Sequence, residues 1–275
     1  MLAAYAAGSV FKPVLAVAAL ETGEDELTIE CQGYTLVDGQ IYRCASGVAH
    51  GETDLATALE KSCNCYFIRL GQQLGADTVR STAAALGFGE AVELYSTLCA
   101  TAGVLPDERE LTSTGQLANF SFGQGRLLVT PVQIAGMMNA IAANGIYRTP
   151  SFLMFTVDEM TGEPVESLAH STRHRVFSAQ TARRLRELLC GVVENGTGHE
   201  AAPIYDTAGG KTGTAQTGQF NNAGQEKMNY WFAGFYPVDH PHYTVVVLQD
   251  EQVNPAFSSA AIFTKICDIL ALLEQ

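Results

Sequence analysis

The sequence predicts an α+β domain, and two observations carry that expectation. Apolar residues recur at helical spacing through much of the first two thirds of the chain, and the pattern changes to short extended runs in the last third. Three such runs follow one another, joined by a Gly/Asn-rich loop and by Pro237–Pro241, and a final helical stretch closes the chain. Successive strands with short connections are expected to pair as an antiparallel meander. The layout is a helical half inserted between a first helix and a three-stranded sheet flanked by the last helix.

Taken in order, Gly8-Ser9-Val10-Phe11-Lys12-Pro13 heads an apolar run that ends near Leu20. Pro13 lacks an N–H and is tolerated only in the first turn of a helix, so the helix is expected to begin at or just before Ser9. Residues 23–51 carry Gly23, Gly33, Gly39, Gly47 and Gly51 and read as a loop with short extended pieces such as Leu27–Cys31. Residues 53–70 follow a helical pattern broken around Ser62-Cys63-Asn64, and Asp77–Leu86 forms a helix stopped by Gly87 and Gly89. The stretch 90–118 is turn-rich. The clearest helix is 131–144: Thr130 caps it, Pro131 takes its first position and Gln133 completes a capping box. Residues 150–157 read as a strand and 178–194 as a helix with Leu185, Leu188, Leu189 and Val192 inward. The three later strands are Lys211–Thr217, Tyr230–Tyr236 and Tyr243–Gln249, and the last helix runs from about Ser258 to Leu273. Residues 1–275 are expected to form a single domain, with a helical subregion over roughly 50–145 and a sheet subregion over 1–22 plus 200–275.

Composition narrows the function. The formal net charge is −13 and no basic run stands out, which argues against nucleic acid and against an anionic membrane surface. A carboxylate-bearing ligand would need a local cation. No apolar run approaches membrane-spanning length. The first apolar run is split by Lys12-Pro13 and followed by Glu21, Glu24, Asp25 and Glu26, so it does not read as a signal peptide. The cysteines number seven, an odd count, and their spacing matches no zinc-ligand pattern. Cys31 and Cys44 flank a turn-rich stretch and are candidates for a bridge; the others read as small buried side chains. The histidines lie in loop-like, polar stretches and receive no catalytic role. No metal and no cofactor are expected.

Ser9 and Lys12 are spaced i, i+3, which on a helix stacks them on one face. A serine beside unpaired N–H groups, with a desolvated lysine one turn on, is a plausible activated nucleophile. Alone, the pair reads more readily as a capping serine and a solvated lysine. Two further motifs change that reading: Ser62-Cys63-Asn64 and Lys211-Thr212-Gly213-Thr214. S-x-x-K, S-x-N and K-T-G in this order are the signature of penicillin-binding proteins and serine β-lactamases. Phe122-Gly123-Gln124-Gly125 leading to Val129-Thr130-Pro131-Val132-Gln133, then Thr214-Ala215-Gln216 and Phe232–Pro237, resemble stretches of the penicillin-binding protein transpeptidase domain. The Gly-Gln-Gly/Thr-Pro element separates the chain from β-lactamases, and no glutamate loop for β-lactam hydrolysis is found. The resemblance covers nearly the whole chain and is closest to class B, monofunctional transpeptidases.

That resemblance implies the serine β-lactamase/penicillin-binding-protein fold, an antiparallel sheet flanked by helices plus an all-helical subdomain. It implies a D,D-transpeptidase that cross-links peptidoglycan, with stem peptides as substrate and β-lactams as acylating inhibitors, at an extracytoplasmic, cell-envelope location. Ser9 would be the nucleophile, Lys12 its base, Ser62 a proton relay, and Lys211 a source of positive potential. Asn64, Thr212, Gly213 and Thr214 would bind substrate, with the N–H groups of Ser9 and Thr214 forming the oxyanion hole. Ala7 stands where the family usually has proline, and only eight residues precede Ser9. The family's strands ahead of the nucleophile would therefore be missing, leaving Tyr243–Gln249 as an exposed edge open to self-association. A second reading is a non-catalytic penicillin-recognising sensor, or an inactive truncated remnant.

Overall fold

The computed structural model describes residues 2–95, 98–153, 155–165 and 172–273. The chain begins with β1 (Tyr5–Ala6), a 3₁₀ turn (Gly8–Phe11) and α1 (Lys12–Thr22). Then come β2 (Ile29–Cys31), β3 (Tyr34–Val37), β4 (Gln40–Arg43) and β5 (Gly51–Thr53). Next are α2 (Leu55–Glu60), α3 (Asn64–Leu74), α4 (Ala76–Ala85), β6 (Val92–Tyr95), β7 (Leu98–Ala100), α5 (Thr114–Ser121), β8 (Leu128–Val129) and α6 (Pro131–Ala142). Short pieces β9 (Ile146–Arg148), β10 (Thr156–Val157), β11 (Pro164–Val165) and β12 (Arg173–Arg175) lead to α7 (Ala179–Glu194). The chain ends with β13 (Gly209–Phe220), β14 (Glu226–Tyr236), β15 (Tyr243–Gln252) and α8 (Ser259–Leu273).

The α+β expectation holds, with differences that have physical causes. The first helix starts later than Pro13 alone implied. Gly8 takes a left-handed φ of 57°, residues 8–11 tighten into a 3₁₀ turn, and Lys12 is the first α-helical residue. The expected loop over 23–51 is two small hairpin pairings, β2 with β5 and β3 with β4. A helix, α5, emerges at the end of the expected turn-rich stretch; its Leu117, Ala118 and Phe120 are buried and it packs on α3. In the expected 150–157 strand only Thr156–Val157 pairs, with Pro164–Val165, and Met154 lies outside the described residues.

Among the described residues the main sheet has three antiparallel strands in the order β13-β14-β15. β14 is central, and its side chains alternate between two cores, as a period of two requires. Trp231, Ala233 and Phe235 join the large core with α1, α6 and α7. Phe232 and Tyr236 face the other way, onto Phe263 and Cys267 of α8. β1 does not join this sheet; it pairs with β8.

α1 is the spine of the large core. Its residues from Lys12 to Ala19 are all buried, the pattern of a helix apolar on every side. Val14, Leu15 and Val17 each contribute about 1.5–3 kcal/mol of burial. Phe11, just ahead, sets its ring against Phe88 and Phe120 at centroid distances of 5.6 and 5.1 Å. Gly23 ends the helix in a left-handed conformation, φ 75°, its N–H donating to Ala19 O.

The capping box of α6 is formed as read, with Thr130 Oγ1 accepting from Gln133 N and Gln133 Oε1 accepting from Thr130 N. Gln133 does more than cap. Its fully buried amide nitrogen also donates to Gly87 O at 3.2 Å, Glu90 O at 3.1 Å and Ala102 O at 3.0 Å. One glutamine thus ties three loop carbonyls to the start of α6. Gln133→Leu keeps the volume and strands those groups, so it is expected to cost about 1–3 kcal/mol; the shift in urea midpoint measures this, and an unchanged midpoint would refute the role.

Candidate active site

A cleft of about 1020 Å³ opens where the 3₁₀ turn, the loop between α2 and α3, and β13 meet. Ser9, Ser62, Asn64, Thr212, Gly213 and Thr214 all line it. Lys12 and Lys211 are fully buried. The three motifs, far apart in sequence, thus converge: six of the eight residues singled out above line one cleft, and the two lysines are buried beside them.

Lys12 is the joint between the first two motifs. Its Nζ donates to Ser62 O at 2.7 Å, to Ser62 Oγ at 3.1 Å and to Asn64 Oδ1 at 2.7 Å. Ser62 takes a left-handed φ of 55°, a conformation costing a non-glycine residue about 1–2 kcal/mol, and presents its carbonyl and hydroxyl together to the lysine. Asn64 also donates from Nδ2 to Arg43 O at 3.0 Å, which ties the turn to the end of β4. The third motif stands opposite. Lys211 Nζ donates to Thr212 O and Oγ1, each at 3.3 Å, and Thr212 Oγ1 also lies 2.8 Å from Thr197 Oγ1.

Close backbone packing sets these pieces at their spacing. A Cβ on Gly213 would lie 2.8 Å from Val10 Cγ1 and 3.1 Å from Val10 N. A Cβ on Gly8 would lie 2.6 Å from Thr214 O, and one on Gly123 would lie 1.9 Å from Gly8 O. Gly8 N donates to Gly123 O at 2.8 Å. The glycine of K-T-G, the residue before Ser9 and the first glycine of Gly-Gln-Gly therefore interlock, and the Ser9 turn is seated between β13 and the loop around Gly123.

Burial governs the lysines. Desolvation lowers the Lys12 pKa to about 7, opposed by the negative potential of Cys63, Cys44 and Cys65. Lys211 is pushed well below the ordinary lysine range, first by burial and then by the charge of Lys12. Lys12 therefore populates its neutral form substantially near neutral pH, which a base requires.

A family model described as the penicillin binding protein transpeptidase domain matches residues 2–268. The chain belongs to this family. It is similar to Stage V sporulation protein D of Bacillus subtilis, 31% identical over 249 residues, which cover 90% of this chain and 38% of that protein. It is similar to penicillin-binding protein PbpB of Mycobacterium tuberculosis, 31% identical over 298 residues, 98% of this chain and 41% of that protein. The chain thus spans about two fifths of the length of these relatives. Among solved structures, the apo form of penicillin binding protein 3 from Mycobacterium tuberculosis superposes with a TM-score of 0.85 at 29% identity, covering 99% of this chain and 64% of that one. That protein's complex with ampicillin gives a TM-score of 0.84.

Several groups of this transpeptidase domain escape a motif-based reading. Trp231 Nε1 donates to Ala6 O at 3.0 Å and fastens the segment before Ser9 to β14; a tryptophan in a strand carries no sign of that partner. Thr197 reaches Thr212 from the loop after α7. The cysteines differ most from expectation. Cys31 and Cys44 are not bridged; their sulfurs lie 3.8 Å apart as free thiols. Cys63, the middle residue of S-x-N, lies 3.4 Å from Cys31 and 3.8 Å from Cys44, and His50 Nδ1 is 3.4 Å from Cys31. These four donors were not grouped by spacing because β2, β5 and the α3 N-terminus assemble them.

Gly8→Ala combines a left-handed φ with a clash against backbone that cannot rotate away. It is expected to cost about 2–5 kcal/mol and to move the Ser9 turn off β13. Thermal unfolding measures the loss; a variant as stable as the parent would refute the interlock.

Proposed function

We propose that this chain is the catalytic domain of a peptidoglycan D,D-transpeptidase, with residues 1–275 forming one such domain. The observation that carries the reading is the convergence of Ser9, Ser62, Asn64, Thr212, Gly213 and Thr214 on one cleft, with Lys12 and Lys211 buried at its wall. In this reading Ser9 Oγ attacks the carbonyl of the penultimate D-Ala of a stem peptide. Lys12 takes the hydroxyl proton. The N–H groups of Ser9 and Thr214 receive the developing oxyanion. Ser62 passes a proton to the departing amine, and terminal D-Ala leaves. An amine of a second stem peptide then attacks the ester, cross-linking the two stems and restoring the Ser9 hydroxyl.

Substrate recognition follows from charge. A chain of net charge −13 binds a C-terminal carboxylate only through local donors. The hydroxyls of Thr212 and Thr214 are those donors, backed by the positive potential of Lys211. Asn64 bonds the donor peptide's backbone, and the peptide lies along β13 as an added strand. A β-lactam acylates Ser9 in the same way, and its product ester stays on the enzyme. The proposed setting is extracytoplasmic, at the cell envelope, where this substrate is found. No helix among the described residues is long and apolar enough to cross a membrane. The outer edge of β15, which among the described residues pairs with β14 alone, is where a further strand or a second copy would add.

A fluorescent penicillin tests the assignment. Covalent label is expected on the peptide carrying Ser9, absent in Ser9→Ala, and formed about 10²–10⁴-fold more slowly in Lys12→Ala. No label on the folded parent chain would overturn the proposal. Label without cross-linking or carboxypeptidase turnover of a D-Ala-D-Ala peptide would favour the sensor reading instead.

A further inference from the structure

The cluster behind the S-x-N turn has no part in acyl transfer, yet its geometry is specific. The Sγ atoms of Cys31, Cys44 and Cys63 and a ring nitrogen of His50 all lie within 4.8 Å of one another. The individual separations are 3.8 Å for Cys31–Cys44, 3.8 Å for Cys44–Cys63, 3.4 Å for Cys63–Cys31 and 3.4 Å from Cys31 to His50 Nδ1. A disulfide needs about 2.05 Å. A tetrahedral ion with Zn–S of about 2.3 Å and Zn–N of about 2.0 Å puts its ligand atoms about 3.8 Å apart for S···S and about 3.5 Å for S···N. The four separations above lie within about 0.4 Å of such edges, and the two remaining ones, from His50 to Cys44 and to Cys63, are no longer than 4.8 Å.

The surroundings suit thiolates. Gly33 N donates to Cys31 Sγ and Tyr66 N donates to Cys63 Sγ, each at 3.4 Å. Backbone N–H bonds of this kind orient metal-bound sulfur and stabilise its charge. The three cysteines are buried and His50 is half-buried, so solvent is largely excluded. Cys65 lies beside Cys44 at 3.5 Å, outside the quartet.

We propose that Cys31, Cys44, Cys63 and His50 Nδ1 bind one zinc ion as a closed, structural site. Three soft donors and one imidazole in a tetrahedron select zinc over hard cations. Its task follows from where the ligands sit. Cys31 ends β2, Cys44 follows β4, His50 precedes β5 and Cys63 caps α3. The segment from 29 to 53 consists of two short hairpin pairings with Tyr34, Leu36 and Ile41 exposed, so it brings little core of its own. It also forms a wall of the cleft through Gln40, Ile41, Tyr42 and Arg43. The ion would staple that wall to the head of α3. Because Cys63 is the middle residue of S-x-N, the ion would also pin Ser62 in its left-handed conformation. This last consequence rests on the transpeptidase reading; the metal site itself does not.

The test uses the untagged chain purified without chelator. Elemental analysis is expected to find about one zinc per chain, and cobalt substitution to give thiolate charge-transfer bands with a tetrahedral d–d envelope. His50→Ala is expected to weaken zinc affinity at least tenfold in competition with a chromophoric chelator, and Cys31→Ser more. If Cys31→Ser does not fold, the parent's cobalt spectrum still decides. Stripping zinc is expected to slow fluorescent-penicillin acylation of Ser9 by about 10–100-fold, in line with lost support around a site. A chain without zinc and without a cobalt spectrum overturns the metal site, whether its thiols are free or paired as disulfides. A chain that holds zinc but never labels with penicillin supports the metal site and overturns the transpeptidase reading, so the two failures are separate.

Discussion

The bonds from Lys12 Nζ to Ser62 O, Ser62 Oγ and Asn64 Oδ1 are the constraint on which the site depends. They run between the first residue of α1 and a turn some fifty positions later, and they are made inside the protein. A buried amine that lost these acceptors would leave polar groups unpaired on both sides, at about 1–3 kcal/mol or more for each. The left-handed backbone at Ser62 and the broken helix between α2 and α3 persist because this network over-determines them. The turn is therefore not a hinge that happens to lie near Ser9. It is held by the first residue of α1, which directly follows the 3₁₀ turn carrying Ser9.

The rest of the fold keeps α1 from moving. Its walls are apolar on every side, its head is wedged by the Phe11–Phe88–Phe120 contacts, and its leading segment is tied to β14 through Trp231. Interlocking of Gly8, Gly123 and Gly213 then fixes the distance between that head and β13. Protein interiors are packed too densely to absorb an added methyl there without displacing backbone. Sheet, helix and loop are positioned by contacts that allow only hydrogen in place of a side chain.

Much of this was legible in the sequence, for identifiable reasons. The three strands showed as extended runs between turn residues, and α6 as a capping box with Pro131 at its start. The convergence of Ser9, Ser62 and Lys211 was readable because three short motifs stood in a fixed order. What remained hidden depends on contacts distant in sequence. The 3₁₀ turn at Ser9 arises from the backbone Gly8 adopts against Thr214 and Gly123, not from any local period. α5 includes Gly115 and Asn119, poor helix formers, and exists because Leu117 and Phe120 bury against their neighbours. The Cys31–Cys44–His50–Cys63 quartet contains no Cys-x-x-Cys knuckle, and only hairpin pairing and the α3 N-terminus bring its members into contact.

The placement of the two lysines also bears on how an acidic chain would handle a carboxylate. Among the described residues neither Lys12 nor Lys211 forms an ion pair with a carboxylate. Two buried amines without carboxylate partners shed protons more easily, and the charge of Lys12 makes Lys211 less willing to be charged. Lys12 is partly compensated by the sulfurs behind it; among the described residues Lys211 donates to the carbonyl and hydroxyl of Thr212. An anion arriving in the cleft would supply the charge that Lys211 lacks, and its binding would favour the protonated form. The threonine hydroxyls would make the contacts, while the lysine provides the field from behind them. Placing the amine in the wall rather than at the surface keeps it from pairing with the protein's own abundant carboxylates, and under the proposed function would leave it available to the ligand.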